Sequence, residues 1–169
     1  QGNKLISQPI KGTSKRDWQN LQKDEENKQF LLSSKKERSE NIIVIDLVRN
    51  DLSKICKPGS VKADEFCKIY SFPQVHQMVS TISGIIDDNC YWTDAIKATF
   101  PMGSMTGAPK KKVMELIEQY ECTKRGLFSG AIGYVTPQKD FDFNVVIRSA
   151  LYNQTQQYLS YMAGSGITH

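Results

Sequence analysis

The stretch Pro101 to Lys112, PMGSMTGAPKKK, constrains this chain more than any other, because a turn rich in glycine and hydroxyl groups runs straight into an amphipathic helix. Val113, Leu116, Ile117 and Tyr120 recur at i, i+3, i+4 and i+7 and predict a helix from Pro109, a residue suited to a first helical turn because its missing N–H would be unpaired there anyway. Lys110, Lys111 and Lys112 then place three positive charges at the positive end of the helix dipole, an arrangement that a bound anion would relieve. Gly103 and Gly107 allow close backbone approach, and Ser104 and Thr106 add hydroxyls beside the N–H groups of the helix start. The same residues also fit a capped turn followed by a solvated basic face. The spacing excludes a P-loop, since Gly107 is followed by Ala108 and Pro109 instead of the lysine such a motif needs.

At 169 residues the chain has the size of one domain, and 39% hydrophobic with 24% charged residues is ordinary for a globular protein. The net charge of +4, from 22 basic and 18 acidic residues mixed along the chain, is too weak to argue for nucleic acid, and no apolar run is long enough for a membrane span. Four dispersed cysteines without a C-x-x-C, and two histidines in all, point to neither a zinc site nor a disulfide framework, so a reducing, cytoplasmic setting is expected. The chain opens on Gln1, with neither initiator Met nor signal peptide, as part of something longer would.

Leu5 to Thr13 reads as an extended segment broken by Pro9 and Gly12, with Lys11 in its turn. Asp17 to Gln29 has alternating charge and few apolar residues, as expected of a surface helix or a connection. Ser34 to Leu52 carries four consecutive β-branched residues, Ile42 to Ile45, yet Ser34-x-x-Glu37 is a capping-box signature and the apolar pattern continues without a breaker, so a helix is predicted. Glu37 and Glu40, three apart, share one face of it. They suit a helix cap and a surface charge, or else a proton-transfer group and a ligand for a hard cation such as Mg²⁺. Asp46, Arg49, Asn50 and Asp51 suit a helix end. Val61 to Cys67 reads as a connection, Val75 to Ile86 as a strand with His76 leading one face, and Asp94 to Phe100 as a short helix. Phe128 to Val135, Phe141 to Ala150 and Tyr158 to Ala163 are predicted strands. His76 fits a hydrogen-bonded structural residue or a proton carrier. Arg148 is a candidate for holding a carboxylate, and Gly164-Ser165-Gly166 for an anion nest.

In order along the chain, QPIKGT, ERSENIIVIDLVRNDL, PGSV, FPQVHQMVST, FPMGSMTGAPKKKVMELIE, GAIGY, IRSA and AGSGI resemble the chorismate-binding enzymes, among them the aminodeoxychorismate, anthranilate, isochorismate and salicylate synthases. The resemblance covers nearly the whole chain. It implies an α+β fold of two large antiparallel sheets packed together with helices outside, present here as a partial fold, and a Mg²⁺-dependent site between the sheets. It implies Glu40 as a Mg²⁺ ligand, Glu37 as its neighbour in the acid/base and metal shell, and His76 as an aid to departure of the C4 hydroxyl. Gly12, Thr13, Ser104, Thr106 and Gly107 would line the ring-carboxylate and metal region, and Arg148, Gly164 and Gly166 would hold the enolpyruvyl carboxylate. PIKGT resembles the aminodeoxychorismate branch, where the lysine amine, here Lys11, adds to C2 of chorismate and ammonia from a glutamine amidotransferase subunit enters at C4. Anthranilate synthases look like PIAGT at this point, and Phe128 stands where a tyrosine is common in them. The resemblance further implies that residues 1–169 are the C-terminal part of a chorismate-binding catalytic domain, a fragment expected to be inactive alone. An anthranilate synthase component and a non-catalytic chorismate-binding fragment are the alternatives.

Overall fold

A computed structural model describes residues 2–166. Strand β4, Val75–Ile85, is its spine: β1 (Lys4–Ser7), β2 (Ile10–Lys15) and β3 (Lys62–Ser71) all pair with it antiparallel, giving one four-stranded sheet. Residues of a strand alternate between faces, and on β4 the two faces have different partners. His76 meets Asp24, Met78 clusters with Leu31, Ser80 bonds Asn41, and Ile82 packs with Ile45 and Leu52. These even positions therefore lie under two helices, α1 (Leu21–Ser33) and α2 (Lys35–Ser53). On the other face Thr81 donates to Glu65 at 3.0 Å and Ser83 to Asp64 at 2.7 Å, a polar surface. Glu65 is held down to about 2, first by Lys68 and then by the Tyr70 and Thr81 hydroxyls.

Helix α2 forms despite its β-branched run because its start is fixed and one of its faces is buried. The Ser34 hydroxyl accepts from Glu37 N at 3.3 Å, as the capping signature predicts. Val44, Ile45 and Leu52 are buried, and Ile45 and Leu52 join Ile55, Cys56, Ile82 and Ala95 in the main core. Each such side chain taken from water contributes about 1.5–3 kcal/mol, which outweighs the few tenths of helix propensity lost per β-branched residue. Helix α1, capped by Asn20 whose side chain accepts from Lys23 N at 3.0 Å, is held by Asp24 and Leu31, its two buried residues.

Beyond the sheet come α3 (Trp92–Thr99), a 3₁₀ turn at Gly103–Met105 and α4 (Lys110–Tyr120), then two separate hairpins, β5 (Ala131–Val135) with β6 (Phe141–Val145) and β7 (Ala150–Asn153) with β8 (Tyr158–Tyr161). The mixed helical and antiparallel character matches the expectation from sequence. In place of a second large sheet, the described residues contain these two hairpins, whose Ile132, Tyr134, Leu159 and Tyr161 are each more than 60% exposed.

Two segments differ from their sequence reading. All but the first residue of the segment read as a connection from Val61 to Cys67 belong to a long strand, β3, which begins at Lys62: its pairing shifts register between Ala63 and Glu65 and between Glu65 and Lys68, with Cys67 at φ +49°, so the alternation that betrays a strand is scrambled. The strand predicted over 141–150 is broken after Val145, where Arg148 adopts φ +52°, and chain pairing resumes only at Ala150. Among the described residues no helix is long and apolar enough to cross a membrane.

Candidate functional site

The site begins at Gly12. Its φ of +99° is a conformation that side chains disfavour, and a Cβ there would stand 3.0 Å from Leu31 Cδ1, 3.1 Å from Glu37 Cβ and 3.2 Å from Glu37 Oε2. The backbone of β2 thus lies directly against the first turn of α2. The capping box is only half made: Ser34 N donates to Leu31 O at 3.3 Å, so the Glu37 carboxylate is not spent on the cap and turns toward Gly12. One helical turn on, Glu40 Oε2 stands 3.8 Å from Lys11 Nζ, with the two side chains 17% and 27% exposed. From the far end of the chain Gly166 closes the group, its Cβ direction 3.8 Å from the same amine. Lys11, Gly12, Glu37, Glu40 and Gly166 are therefore brought together from three distant segments.

The glycine-rich turn docks farther down the same helical face. A Cβ on Gly103 would meet Leu47 Cβ at 2.8 Å, and Leu47 lies seven residues, about 10 Å of helix rise, beyond Glu40. Within the turn Thr106 donates to Met102 O at 3.1 Å, Ser104 is half-buried, and Gly107 at φ +134° packs over Val113. Two of the lysines of α4 have protein partners: Lys110 pairs with the buried Asp51 carboxylate, which also holds Lys54 at 3.0 Å, and Lys112 pairs with Glu115 at 3.2 Å. The carboxylate that relieves Lys110 comes from the end of α2. The helix itself begins at Lys110, with Pro109 as its N-cap.

Other candidates lie apart. His76 is 1% exposed, with Nδ1 2.8 Å from Ser71 Oγ and Nε2 3.1 Å from Asp24 Oδ1. Arg16, foremost, and the Asp17 N–H hold Asp24 at about 2, so this carboxylate only accepts and Nε2 carries the proton. Both ring nitrogens are thus engaged by protein partners. Thr13 and Arg148 are exposed, and a Cβ on Gly164 would stand 3.5 Å from the Phe128 ring. A cleft of about 1190 Å³ between α2, α3 and α4, lined by Lys54, Lys97, Phe100, Lys111 and Met114, does not include the Lys11 group.

Two supporting residues escaped the sequence reading. Arg125 Nη1 donates to Met105 O at 2.8 Å and to Ser129 Oγ at 3.3 Å, tying the glycine-rich turn to the segment after α4. Asn41 is fully buried and donates to the carbonyls of Lys11 and Met78 at 3.4 and 3.2 Å. No local signal shows these tethers, because Met105 lies 20 residues from Arg125, and Lys11 and Met78 lie 30 and 37 residues from Asn41.

With this geometry in place, comparison with known proteins is decisive, for the profile of the chorismate binding enzymes matches residues 1–169. The chain belongs to the chorismate-binding enzyme family. It is 42% identical over 163 residues to aminodeoxychorismate synthase component 1 of Salmonella typhimurium, covering 96% of this chain and 35% of that protein. It is 38% identical over 166 residues to anthranilate synthase component 1 of Mycolicibacterium smegmatis, covering 97% of this chain and 31% of that one. The crystal structure of anthranilate synthase component I from Streptococcus pneumoniae superposes with a TM-score of 0.78 at 31% identity, over 89% of this chain and 32% of that chain. The chain thus spans about a third of the length of these chorismate-binding relatives. Ile167, the last residue of the AGSGI motif, lies outside the described residues.

Mg²⁺ binds through one or two carboxylates completed by waters and ligand oxygens. Glu40 and Glu37, one helical turn apart and facing Lys11 and Gly12, fit that mode, and no group of three or more metal-binding side chains occurs among the described residues.

Proposed function

We propose that the chain forms part of an aminodeoxychorismate synthase component I, a transferase that converts chorismate and ammonia to 4-amino-4-deoxychorismate for para-aminobenzoate and folate synthesis in the cytoplasm. Ammonia would come from a glutamine amidotransferase subunit. The observation that carries the reading is the lysine amine 3.8 Å from Glu40, with Gly166, which has no side chain, leaving room beside it, its Cβ direction 3.8 Å from the amine. A nucleophile needs such room and a carboxylate neighbour to manage its proton.

In the first step the Lys11 amine forms a bond to C2 of chorismate, both ring double bonds shift by one position toward C4, and the C4–O bond breaks. The proton given up by the amine passes to the departing hydroxyl, which leaves as water. We assign that transfer to Glu37, whose carboxylate lies at Gly12, in place of His76, whose ring nitrogens are engaged by Ser71 and Asp24. In the second step ammonia bonds to C4, both double bonds shift back, and the C2–N bond breaks. The proton shed by the incoming nitrogen returns to Lys11. Mg²⁺ held at Glu40, with Glu37 beside it, would neutralise the ring carboxylate and polarise the ring. Gly12, Thr13, Ser104, Thr106 and Gly107 would line that end of the substrate, and Arg148, Gly164 and Gly166 would take the enolpyruvyl carboxylate, giving a dianion two separate positive sites.

The 38% identity to an anthranilate synthase component keeps a second reading, elimination of pyruvate to an aromatic amine. Incubating the complete protein with chorismate, Mg²⁺ and ammonia separates the two. Aminodeoxychorismate is expected to accumulate. Anthranilate with equimolar pyruvate would replace this reading with the second, and tight binding of chorismate without turnover would reduce the chain to a binding module.

A further inference from the structure

Asn41 follows Glu40 directly and lies about one helical turn beyond Glu37, and its side chain is fully buried against the sheet. Its oxygen accepts from Ser80 Oγ at 2.6 Å and lies 3.8 Å from Cys67 Sγ, while its nitrogen donates to Met78 O and to Lys11 O. Ser80 Oγ in turn accepts from Cys67 N at 2.8 Å. These atoms sit where the sheet is irregular on both sides of β4. Pairing of β2 shifts register between Ile10 and Thr13, and pairing of β3 shifts between Glu65 and Lys68. Such breaks leave backbone groups without ladder partners, and a buried group left so destabilises a fold by about 1–3 kcal/mol. The Asn41–Ser80 pair takes up one group from each break, the Lys11 carbonyl and the Cys67 N–H.

We propose that Asn41 is a positioning residue that sets the stance of Lys11 against the carboxylates of α2. The amide ties the Lys11 carbonyl to the same helical turn that presents Glu40, so strand and helix cannot slide past each other without breaking that bond. A leucine would fill the space, but it has no donor for the Lys11 and Met78 carbonyls and no acceptor for Ser80. The inference rests on the proposed role of Lys11 only for its consequence in catalysis; the tether itself does not depend on the reaction.

Two variants separate positioning from mere cohesion. Asn41→Leu removes the donor to Lys11. Ser80→Ala frees the Cys67 N–H and the Asn41 oxygen but leaves that donor in place. In the complete protein, without chorismate and at fixed pH, acetylation of Lys11 relative to the exposed Lys62 is read by peptide mass spectrometry. In Asn41→Leu the ratio should rise about tenfold, the factor that a hydrogen bond of about 1.4 kcal/mol commands, and in Ser80→Ala it should change less than about twofold. With chorismate, Asn41→Leu should lose kcat by about a hundredfold at nearly constant KM, as a misplacement of about an ångström does. Should Asn41→Leu not fold, Asn41→Asp keeps the shape and the Ser80 bond, loses the donor, and gives the same contrast. Equal ratios in the two variants, or no change in either, overturn the proposal. A wild-type protein that leaves chorismate unconverted contradicts the proposed function, and the acetylation ratio still decides the role of Asn41.

Discussion

Gly12→Ala tests the close approach on which the candidate site is built. At φ +99° any side chain strains the backbone, by about 1–3 kcal/mol. The new methyl would also press on Leu31 Cδ1 at 3.0 Å and on Glu37 Cβ and Oε2 at 3.1 and 3.2 Å, and these atoms belong to two packed helices. Overpacking of that kind adds about 1–3 kcal/mol. Gly59 supplies the control, because at φ +76° a Cβ there meets nothing within 4 Å, so Gly59→Ala bears backbone strain alone. For a domain of this size each kcal/mol lowers Tm by about 2–4 °C. Gly12→Ala should therefore melt below Gly59→Ala by about 2–12 °C in parallel scanning calorimetry, and the Lys11 adduct with chorismate should be lost as Glu37 is pushed aside. Equal losses of Tm in the two variants would refute the packing of β2 against α2.

The acid limb of stability should carry the mark of Asp24. Its pKa of about 2 lies below the ordinary 3.8, so its contribution is complete above about pH 4 and is lost as pH falls through about 2; urea midpoints of Asp24→Asn should fall less steeply across that window, with Glu65 and the other lowered carboxylates, Glu25, Asp64 and Glu121, contributing to the slope that remains. Gly84→Ala would place a Cβ 2.7 Å from Cys56 Sγ, and adding Cys56→Ala should recover about 1 kcal/mol or more, a coupling read from a double-mutant cycle of denaturant unfolding. Arg125→Leu should speed amide exchange across residues 103–107 by about tenfold while leaving α2 protected, because Met105 O loses its guanidinium donor.

Sequence pattern and three-dimensional placement coincide wherever the determinant is local. The Ser34 cap, the apolar face of α2, the alternation along β4 and the start of α4 near Pro109 are all properties of short windows, and each of these elements forms within a few residues of its predicted bounds. Strand β3 escaped because two register shifts and the positive φ of Cys67 destroy the period of two. The break after Val145 escaped because Val146 and Ile147 are good strand residues and only the backbone of Arg148 interrupts them. In the site, the i, i+3 spacing of Glu37 and Glu40 told that they share a face, but not that Gly12 abuts Glu37 or that Gly166 reaches Lys11. The anion expected for the lysines of α4 proved in the case of Lys110 to be the carboxylate of Asp51, 59 residues earlier, a pairing that no window could contain. His76 illustrates the same limit: its type suggests proton transfer, whereas its burial and its bonds to Ser71 and Asp24 follow from how α1 covers β4.

Intact-mass spectrometry of the complete protein, incubated with chorismate and Mg²⁺ in the absence of ammonia, tests the central claim most directly. The proposed adduct at Lys11 would be a secondary amine formed with loss of the C4 hydroxyl as water, so it would need no reductive trapping. The account predicts a gain of one chorismate less one water, mapped to the peptide that carries Lys11 and discharged as aminodeoxychorismate when ammonia is added, with Lys11→Ala unmodified and inactive. A Lys11→Ala protein that forms product at the wild-type rate, with no adduct on either protein, would contradict it.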